Sequence, residues 1–190
     1  MAKTNYDYLT SPLTRANRTP EEPMNQESHS PEFVIRPIEA ADNAIVAHII
    51  RHVMTEFGAV GGNFSSSDPE VDAMYEAYPT PAAAFFVVAR NGVVQGCGGM
   101  GPLEGGEPGV CELRKMYFLP ELRGTGLGGE LLETILGAAR AAGYRQCYLE
   151  TLEHMYEARR LYLRRDFESI DRPLGNTGHS GCNHWMVKDL

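Results

Sequence analysis

The sequence predicts an α/β protein (α+β mixed) in which a central mixed β-sheet is flanked by helices. The predicted order is β-α-α-β-β-β-α-β-α-β, with one more short strand near residues 168–170. Three observations support this class. Continuous apolar runs such as residues 83–90 are typical of buried strands. Other segments repeat their apolar residues at helical spacing. A loop with four glycines joins a strand to a helix within residues 111–150.

Alternating or continuous apolar patterns predict strands over residues 33–39, 83–90, 93–103, 110–119, 146–152 and 184–190. Helical spacing predicts helices over residues 42–58, 67–78, 127–143 and 156–165. Asp42 is the expected N-cap of the first helix. The second, short helix opens on a capping pattern at Ser67 and ends before Pro79. Asn91-Gly92 predicts a tight hairpin between two of the strands.

Residues 1–31 differ in composition from the rest of the chain. They are rich in Thr, Asn, Ser, Pro and Glu and show no repeating apolar pattern. Such a segment buries too little apolar surface to offset its ordering entropy, so we expect a flexible tail. Residues 32–190 then form one domain, and its roughly 160 residues are enough for a proper core.

Charge and hydropathy exclude several classes of partner. The formal net charge is −8, whereas a nucleic-acid backbone requires a basic face, so we expect no nucleic-acid partner. No segment is apolar over the roughly 18 residues that a membrane span needs, and no signal-peptide core is evident. The four cysteines are spread along the chain and are expected to be free thiols in a reducing cytoplasm.

The glycines at positions 124, 126, 128 and 129 stand directly before a helix. Without Cβ atoms, the backbone N–H groups there can approach a bulky ligand, and the helix N-terminus favours an anion. The spacing therefore predicts a phosphate-binding loop.

A dinucleotide-binding loop is one alternative, because Gly124, Gly126 and Gly129 match G-x-G-x-x-G and Glu150 ends the next strand. In that fingerprint the first glycine follows an apolar strand almost directly. Here residues 120–123 intervene, and only some 40 residues follow Glu150, too few for further βαβ units. We therefore favour another kind of phosphate ligand.

The segment Arg123-x-x-Gly126-x-Gly128, preceded by a strand and followed by a Leu-Leu helix, resembles the acyl-CoA pyrophosphate loop of the GNAT superfamily of N-acyltransferases. Residues 112–128 are similar to that family's central strand and loop. A second motif of the family is matched by Met155, Ala158, Leu161, Tyr162 and Phe167. The resemblance extends from residue 33 to the C-terminus and implies the GNAT fold.

The resemblance also implies acetyl-CoA as co-substrate and direct attack of a primary amine on its thioester. The cofactor-binding residues that it implies are Met116, Tyr117, Phe118, Arg123, Gly124, Thr125, Gly126, Leu127, Gly128, Gly129, Met155, Ala158 and Tyr162. Glu112 is the first candidate for general base, Glu150 the second, and Tyr162 the proton donor to the thiolate. Either carboxylate could instead be an ordinary partner of Arg114 or Lys115.

Two positions depart from the family pattern. Asp166 replaces the glycine before Phe167, which affects how the last helix ends. Met155 stands where many members have an Asn that contacts the pantetheine arm or a water. Proton delivery to the sulfur is therefore expected to depend more on Tyr162.

The substrate pocket is harder to predict. Phe57, Phe64 and His179 lie in loops suited to a pocket wall, and Arg114 can pair with a substrate carboxylate or form a structural ion pair. A metal site at His179 is not expected, because the spacing of nearby Cys and His residues matches no standard zinc pattern.

Three functions remain open from the sequence. The first is acetylation of a small amine or amino acid, the second acetylation of a protein or peptide, and the third is acyl-CoA binding without catalysis. All three need the phosphate loop, whereas only the catalytic ones need Glu112 and Tyr162. Formation of a homodimer is also left open.

Overall fold

The structure is a computed structural model that describes residues 32–79 and 81–190. The strands are β1 Phe33–Pro37, β2 Ala84–Arg90, β3 Val93–Pro102, β4 Val110–Phe118, β5 Gln146–Thr151, β6 Glu168–Ile170 and β7 His184–Asp189. The α-helices are α1 Asn43–Glu56, α2 Leu127–Ala141 and α3 Tyr156–Leu163. The predicted class, a mixed sheet flanked by helices, is confirmed. The predicted tail, residues 1–31, lies outside the described residues.

One predicted helix is wrong. Residues 67–78 form no α-helix but two short 3₁₀ turns, Ser65–Ser67 and Pro69–Ala73, followed by hydrogen-bonded turns. Only Val71 and Met74 of this segment are fully buried. Two apolar anchors give too narrow a face to hold an isolated helix of this length, which is marginal without tertiary packing.

The seven strands form one sheet in the order β1-β2-β3-β4-β5-β7-β6. All neighbours are antiparallel except β4 and β5, which are parallel. The strand near residues 168–170 is present as β6 and pairs with β7. No helix among the described residues is long and apolar enough to cross a membrane.

Helices cover both faces of the sheet, which explains why β2 is apolar throughout. Its Phe85 and Val87 join a cluster with the apolar face of α1, while Val88 joins a second cluster with α2. The large side chains of α2 that are fully buried in this second cluster are those of Leu131, Leu132, Ile135 and Leu136. Each such side chain contributes about 2 kcal/mol by burial.

The two parallel strands separate shortly after they meet. The pairing of β4 with β5 covers only residues 110–112 of β4, against residues 146–148 of β5. Beyond that point β4 continues along β3, and β5 continues along β7. A β-bulge coincides with the separation, since the register shifts opposite Gly98 and Lys115 has a left-handed φ of 50°. Bulges bend and twist a strand, and here the bend opens a gap in the middle of the sheet.

Candidate active site

A cavity occupies the gap between β4 and β5. Its other walls come from α3 and from the segment that precedes β7. Nine residues predicted for the site line it: Glu112, Arg114, Met116, Tyr117, Glu150, Met155, Ala158, Tyr162 and His179. The topology thus brings the predicted site residues of β4, β5 and α3 together around one cavity.

The glycine loop, residues 123–129, follows the end of β4 and opens α2. Gly124 has a φ of 76° and Gly126 a φ of 92°, a backbone region that side-chain-bearing residues rarely adopt. A Cβ atom added to either glycine would meet no other atom within 4 Å. The glycines are therefore required by backbone conformation, and the space beside them is open.

The amides of the glycine loop are free where a ligand would need them. Among the described residues, no protein acceptor reaches the main-chain N–H groups of residues 124–128. At the two ends of the loop, Arg123 N–H donates to the Pro120 carbonyl at 3.1 Å, and Gly129 N–H to the Gly126 carbonyl at 2.9 Å. Five consecutive unpaired donors at the start of a 15-residue helix fit a diphosphate.

The Arg123 side chain anchors the glycine loop to α1. Its Nη1 and Nη2 atoms donate to the two carboxylate oxygens of Glu56, at 2.6 and 2.7 Å. Its Nε donates to the Phe118 carbonyl at 2.9 Å, and the guanidinium lies 5.7 Å from the centre of the Phe57 ring. These contacts hold the loop against α1.

The stretch of β4 beyond Glu112 has no strand partner on its β5 side. Tyr117 is fixed there by a 2.9 Å hydrogen bond between its hydroxyl and Ser65 Oγ. Across the gap, Thr151 Oγ1 donates to Met155 Sδ at 3.6 Å. An extended ligand arm could therefore lie along β4 and pair with its unused backbone groups, as another strand would.

The two predicted carboxylates differ in their surroundings. Glu112 Oε2 accepts a 2.7 Å hydrogen bond from Arg114 Nε. Glu150 Oε1 accepts a 2.6 Å hydrogen bond from the Tyr148 hydroxyl, but Glu150 Oε2 is buried and has no donor within the described residues. Burial raises the pKa of Glu150 above its ordinary value, and the nearby hydroxyls of Tyr148 and Thr177 offset only part of that rise.

Further charged side chains surround His179. Its Nε2 lies 3.0 and 3.2 Å from the two carboxylate oxygens of Asp68. Lys115 Nζ donates to Asp68 Oδ2 and to Glu70 Oε1, both at 2.7 Å. We call seven residues the charged pocket: Asp68, Glu70, Glu112, Arg114, Lys115, Glu150 and His179.

The protonation of the pair His179 and Asp68 follows from their contact. Burial lowers the pKa of His179, but the hydrogen bond and charge of Asp68 outweigh it, and the pKa is raised. Burial likewise raises the pKa of Asp68, but His179 and Lys115 outweigh it, and the pKa is lowered. The contact therefore favours an imidazolium beside a carboxylate.

Comparison with known proteins agrees with this geometry. The model of the Acetyltransferase (GNAT) family matches residues 47–167 of the chain. The uncharacterized N-acetyltransferase YjgM of Escherichia coli (strain K12) is 42% identical over 158 residues, which cover 83% of this chain and 95% of that protein. The chain belongs to the GNAT family. The predicted family is thereby confirmed, and the chain is an acyl-CoA-dependent N-acetyltransferase.

Solved structures share the GNAT fold. An acetyltransferase of the GNAT family from Staphylococcus aureus Mu50 superposes with a TM-score of 0.74 at 16% identity, over 84% of this chain and 99% of that one. The acetyltransferase yncA from Salmonella typhimurium, solved with its cofactor acetyl-CoA, gives a TM-score of 0.68 at 22% identity. That match covers 84% of this chain and 94% of that one.

Tyr162, the predicted GNAT acid, lies on α3 and faces the cavity. It is buried, and its ring packs 5.7 Å from that of Phe167. Burial raises the pKa of Tyr162 well above its ordinary value. The hydroxyl therefore stays protonated at any physiological pH and can act as a hydrogen-bond donor.

Two of the predicted pocket-wall residues do not line the cavity. Phe57 packs on the α1 side, where its carbonyl lies 3.0 Å from His154 Nε2. Phe64 packs against Gly181, where an added Cβ atom would lie 2.3 Å from the Phe64 ring. Both residues therefore support the loops around the site, while Arg114 and His179 do line it.

Several site residues were not predicted from the sequence. Asp68 belongs to the segment that was expected to be helical, and Ser65 lies in the loop before that segment. Lys115 was considered only as a partner for a carboxylate. A positively charged residue at the centre of a buried strand is the one signal that could have pointed to buried acids.

Proposed function

We propose that this GNAT enzyme transfers the acetyl group of acetyl-CoA to a primary amine of a small molecule or amino acid, by direct attack of the amine. The observation that carries the proposal is that two sets of polar groups near β4 lack hydrogen-bond partners. One is the row of free amides at residues 124–128, and the other is the donor-free Glu150 Oε2.

The glycine loop would bind the diphosphate of the coenzyme through the amides of residues 124–128. The unpaired edge of β4 at residues 116–118 would hydrogen-bond the pantetheine amides, with Met155 and Ala158 packing on the opposite side. When bound there, the coenzyme supplies the activated acetyl group.

Glu150 is our candidate for the general base. An ammonium has no lone pair, so the acceptor must lose a proton before its nitrogen attacks the carbonyl carbon. Glu150 has a raised pKa and a free oxygen that can take this proton. Glu112 is engaged by Arg114, so we assign it to holding that side chain.

Tyr162 would donate a hydrogen bond to the departing sulfur. As the new C–N bond forms and the C–S bond breaks, negative charge passes to the thiolate, and a hydroxyl in this position stabilises it. The ordinary pKa of a thiol, about 8.5, makes this help modest.

A small acceptor is favoured over a peptide by the way that the loops meet. Gly181 N–H donates to the Asn63 carbonyl at 3.1 Å, and His179 contacts Asp68. The segment before β7 is thus tied to residues 63–68 on the acceptor side, where a linear peptide would need an open groove.

The test combines binding with turnover. Acetyl-CoA should raise the melting temperature of the protein, whereas NADH should not. Release of free CoA should then be measured against amines, amino acids, polyamines, aminoglycosides and lysine-containing peptides. Stabilisation without turnover of any acceptor would favour a non-catalytic acyl-CoA-binding module, and turnover of peptides alone would favour a protein acetyltransferase.

We retain the division into a tail, residues 1–31, and a catalytic domain, residues 32–190, as a proposal. Deleting the tail should leave the melting temperature and the acetyl-CoA affinity unchanged. An insoluble or destabilised product would contradict this division.

A further inference from the structure

The charged pocket contains more acidic side chains than basic ones. Four of its seven side chains are carboxylic acids: Asp68, Glu70, Glu112 and Glu150. Only two are permanent cations, and His179 is the third basic group. What an acceptor meets there depends on which of these charges are already paired.

Both permanent cations are already paired. Lys115, whose side chain is 2% exposed, donates to Asp68 and Glu70 at 2.7 Å each. Arg114 donates through Nε to Glu112 and through Nη2 to the Pro102 carbonyl, at 2.7 and 2.5 Å. Among the described residues that line the cavity, each cationic side chain therefore has a carboxylate partner. An incoming carboxylate would therefore have to compete with one of these carboxylates for a positive group.

His179 does not provide an unpaired positive charge either. Its Nε2 is committed to Asp68 at 3.0 Å. Its Nδ1 lies 4.0 Å from Glu112 Oε1 and 3.9 Å from Glu150 Oε2, longer than a hydrogen bond but close enough for attraction. The one ring nitrogen that remains thus faces two acids.

Glu150 Oε2, by contrast, lacks a donor. The Glu150 side chain is 5% exposed, its Oε1 is satisfied by Tyr148, and no donor among the described residues reaches its Oε2. A buried acceptor atom without a donor is costly, and more so when it carries charge. The atom lies in the cavity wall, where an acceptor amine would supply the missing N–H.

We infer that the acceptor enters as a cationic primary amine that carries no carboxylate on the amine-bearing carbon. Its ammonium donates to Glu150 Oε2. An α-carboxylate held next to that ammonium would be placed among Asp68, Glu112 and Glu150 without a free cation. This inference rests on the proposed function and narrows it, excluding the α-amino group of ordinary amino acids.

The experiment uses acceptor pairs that differ only in the α-carboxylate: tyramine with tyrosine, histamine with histidine, and pentylamine with norleucine. The full chain is saturated with acetyl-CoA, and kcat/KM is measured for each acceptor. Binding of the same acceptors to the CoA-saturated protein is measured by calorimetry. In every pair that turns over, we expect the amine to exceed its amino acid by at least tenfold in kcat/KM.

A matched variant separates charge from shape. Glu150→Gln keeps the size of the side chain but removes its negative charge, so the preference for binding the amine should shrink by at least threefold. Glu157→Gln, on the exposed face of α3 with a side chain 83% exposed, should leave the preference unchanged.

The outcomes distinguish this inference from the proposed function. Equal or better use of the amino acids would overturn the inference and leave the acetyltransferase proposal standing. Turnover of no acceptor, with acetyl-CoA bound, would count against the proposed function, and calorimetry would still decide the acceptor class. Failure of both amines and amino acids to bind would overturn the inference as well.

Discussion

The glycine loop follows the end of β4, whereas the charged pocket borders the gap beside β4, and the two are built from different groups. The loop offers main-chain amides, and its side chains are small or turned away, as Arg123 is toward Glu56. The pocket consists of long charged side chains that satisfy one another, except at Glu150 Oε2. Backbone donors suit a ligand part that is the same in every turnover. Side-chain charges suit a part that must be selected and deprotonated.

The largest effect on activity is expected from substitution of Glu150, whose Oε2 atom has no hydrogen-bond donor among the described residues. Glu150→Gln removes the proposed base, so kcat/KM should fall by about 10²–10⁴-fold while acetyl-CoA affinity stays unchanged. In the wild type, activity requires ionised Glu150. It should therefore fall as the pH drops through a pKa above the ordinary carboxyl value, because burial raises that pKa.

Steady-state kinetics across pH and calorimetry with acetyl-CoA would check this prediction. Glu157→Gln is the matched control on the exposed surface. A variant of Glu150 with full activity, alongside an inactive Glu112→Gln, would reverse our choice of base.

A substitution in the glycine loop should instead weaken the binding of acetyl-CoA. Gly126→Glu places a side chain and a negative charge beside five free amides, at a φ of 92° that disfavours any side chain. The Kd for acetyl-CoA should rise by roughly 100-fold or more, by calorimetry. Gly137→Glu is the control, since it adds the same side chain to an exposed position of the same helix. Equal binding by both variants would show that the loop does not hold the coenzyme.

The pocket should also matter for stability. Lys115→Met leaves Asp68 and Glu70 without their buried cation, and removal of one member of a buried pair costs about 3–5 kcal/mol. We expect about 3 kcal/mol here, because the two acids are partly exposed. Urea unfolding would measure it against Lys188→Met, whose partner Asp166 is 91% exposed and whose loss should cost under about 1 kcal/mol. Similar losses in both variants would contradict the burial argument.

Tyr162 belongs to neither the glycine loop nor the charged pocket, and we expect its substitution to have a smaller effect on activity. Tyr162→Phe removes one hydrogen bond to a thiolate, so kcat should fall roughly tenfold with little change in acetyl-CoA affinity. Tyr156→Phe, at a position 65% exposed on the same helix, is the control. Unchanged turnover in Tyr162→Phe would remove the acid role.

The smallest effect concerns His179, whose folded pKa is raised by Asp68. The stability that this pair contributes is fully present below the unfolded pKa of about 6.5 and is lost as the pH rises through the folded value. The stability difference between wild type and His179→Asn should therefore shrink from pH 5.5 to pH 9. Urea midpoints would show it, with His52→Asn as control. A difference that grows with pH would contradict the assigned contact.

The same comparison explains what the sequence could predict. The glycine loop is local, because its spacing, the strand before it and the helix after it lie within 40 residues. The charged pocket is not local, since Asp68 and His179 meet across 111 positions. No spacing rule indicates such a pair.

Local sequence patterns describe two further regions incompletely. Residues 67–78 carry good capping signals, but too little apolar surface follows them to form a helix. Phe57 and Phe64 were expected to line a pocket because they are aromatic residues in loops. Their actual packing, against His154 and Gly181, depends on contacts between distant segments.

The β-bulge at Lys115 adds one residue to β4 relative to β3. Side chains normally alternate along a strand, but the extra residue places Leu113 and Met116, three positions apart, on the same face of the sheet. Shortening β4 by one residue at this position should restore continuous pairing with β3 while leaving the downstream side chains on their present faces. One extra residue in β4 thus determines whether the sheet has a gap that a ligand can enter.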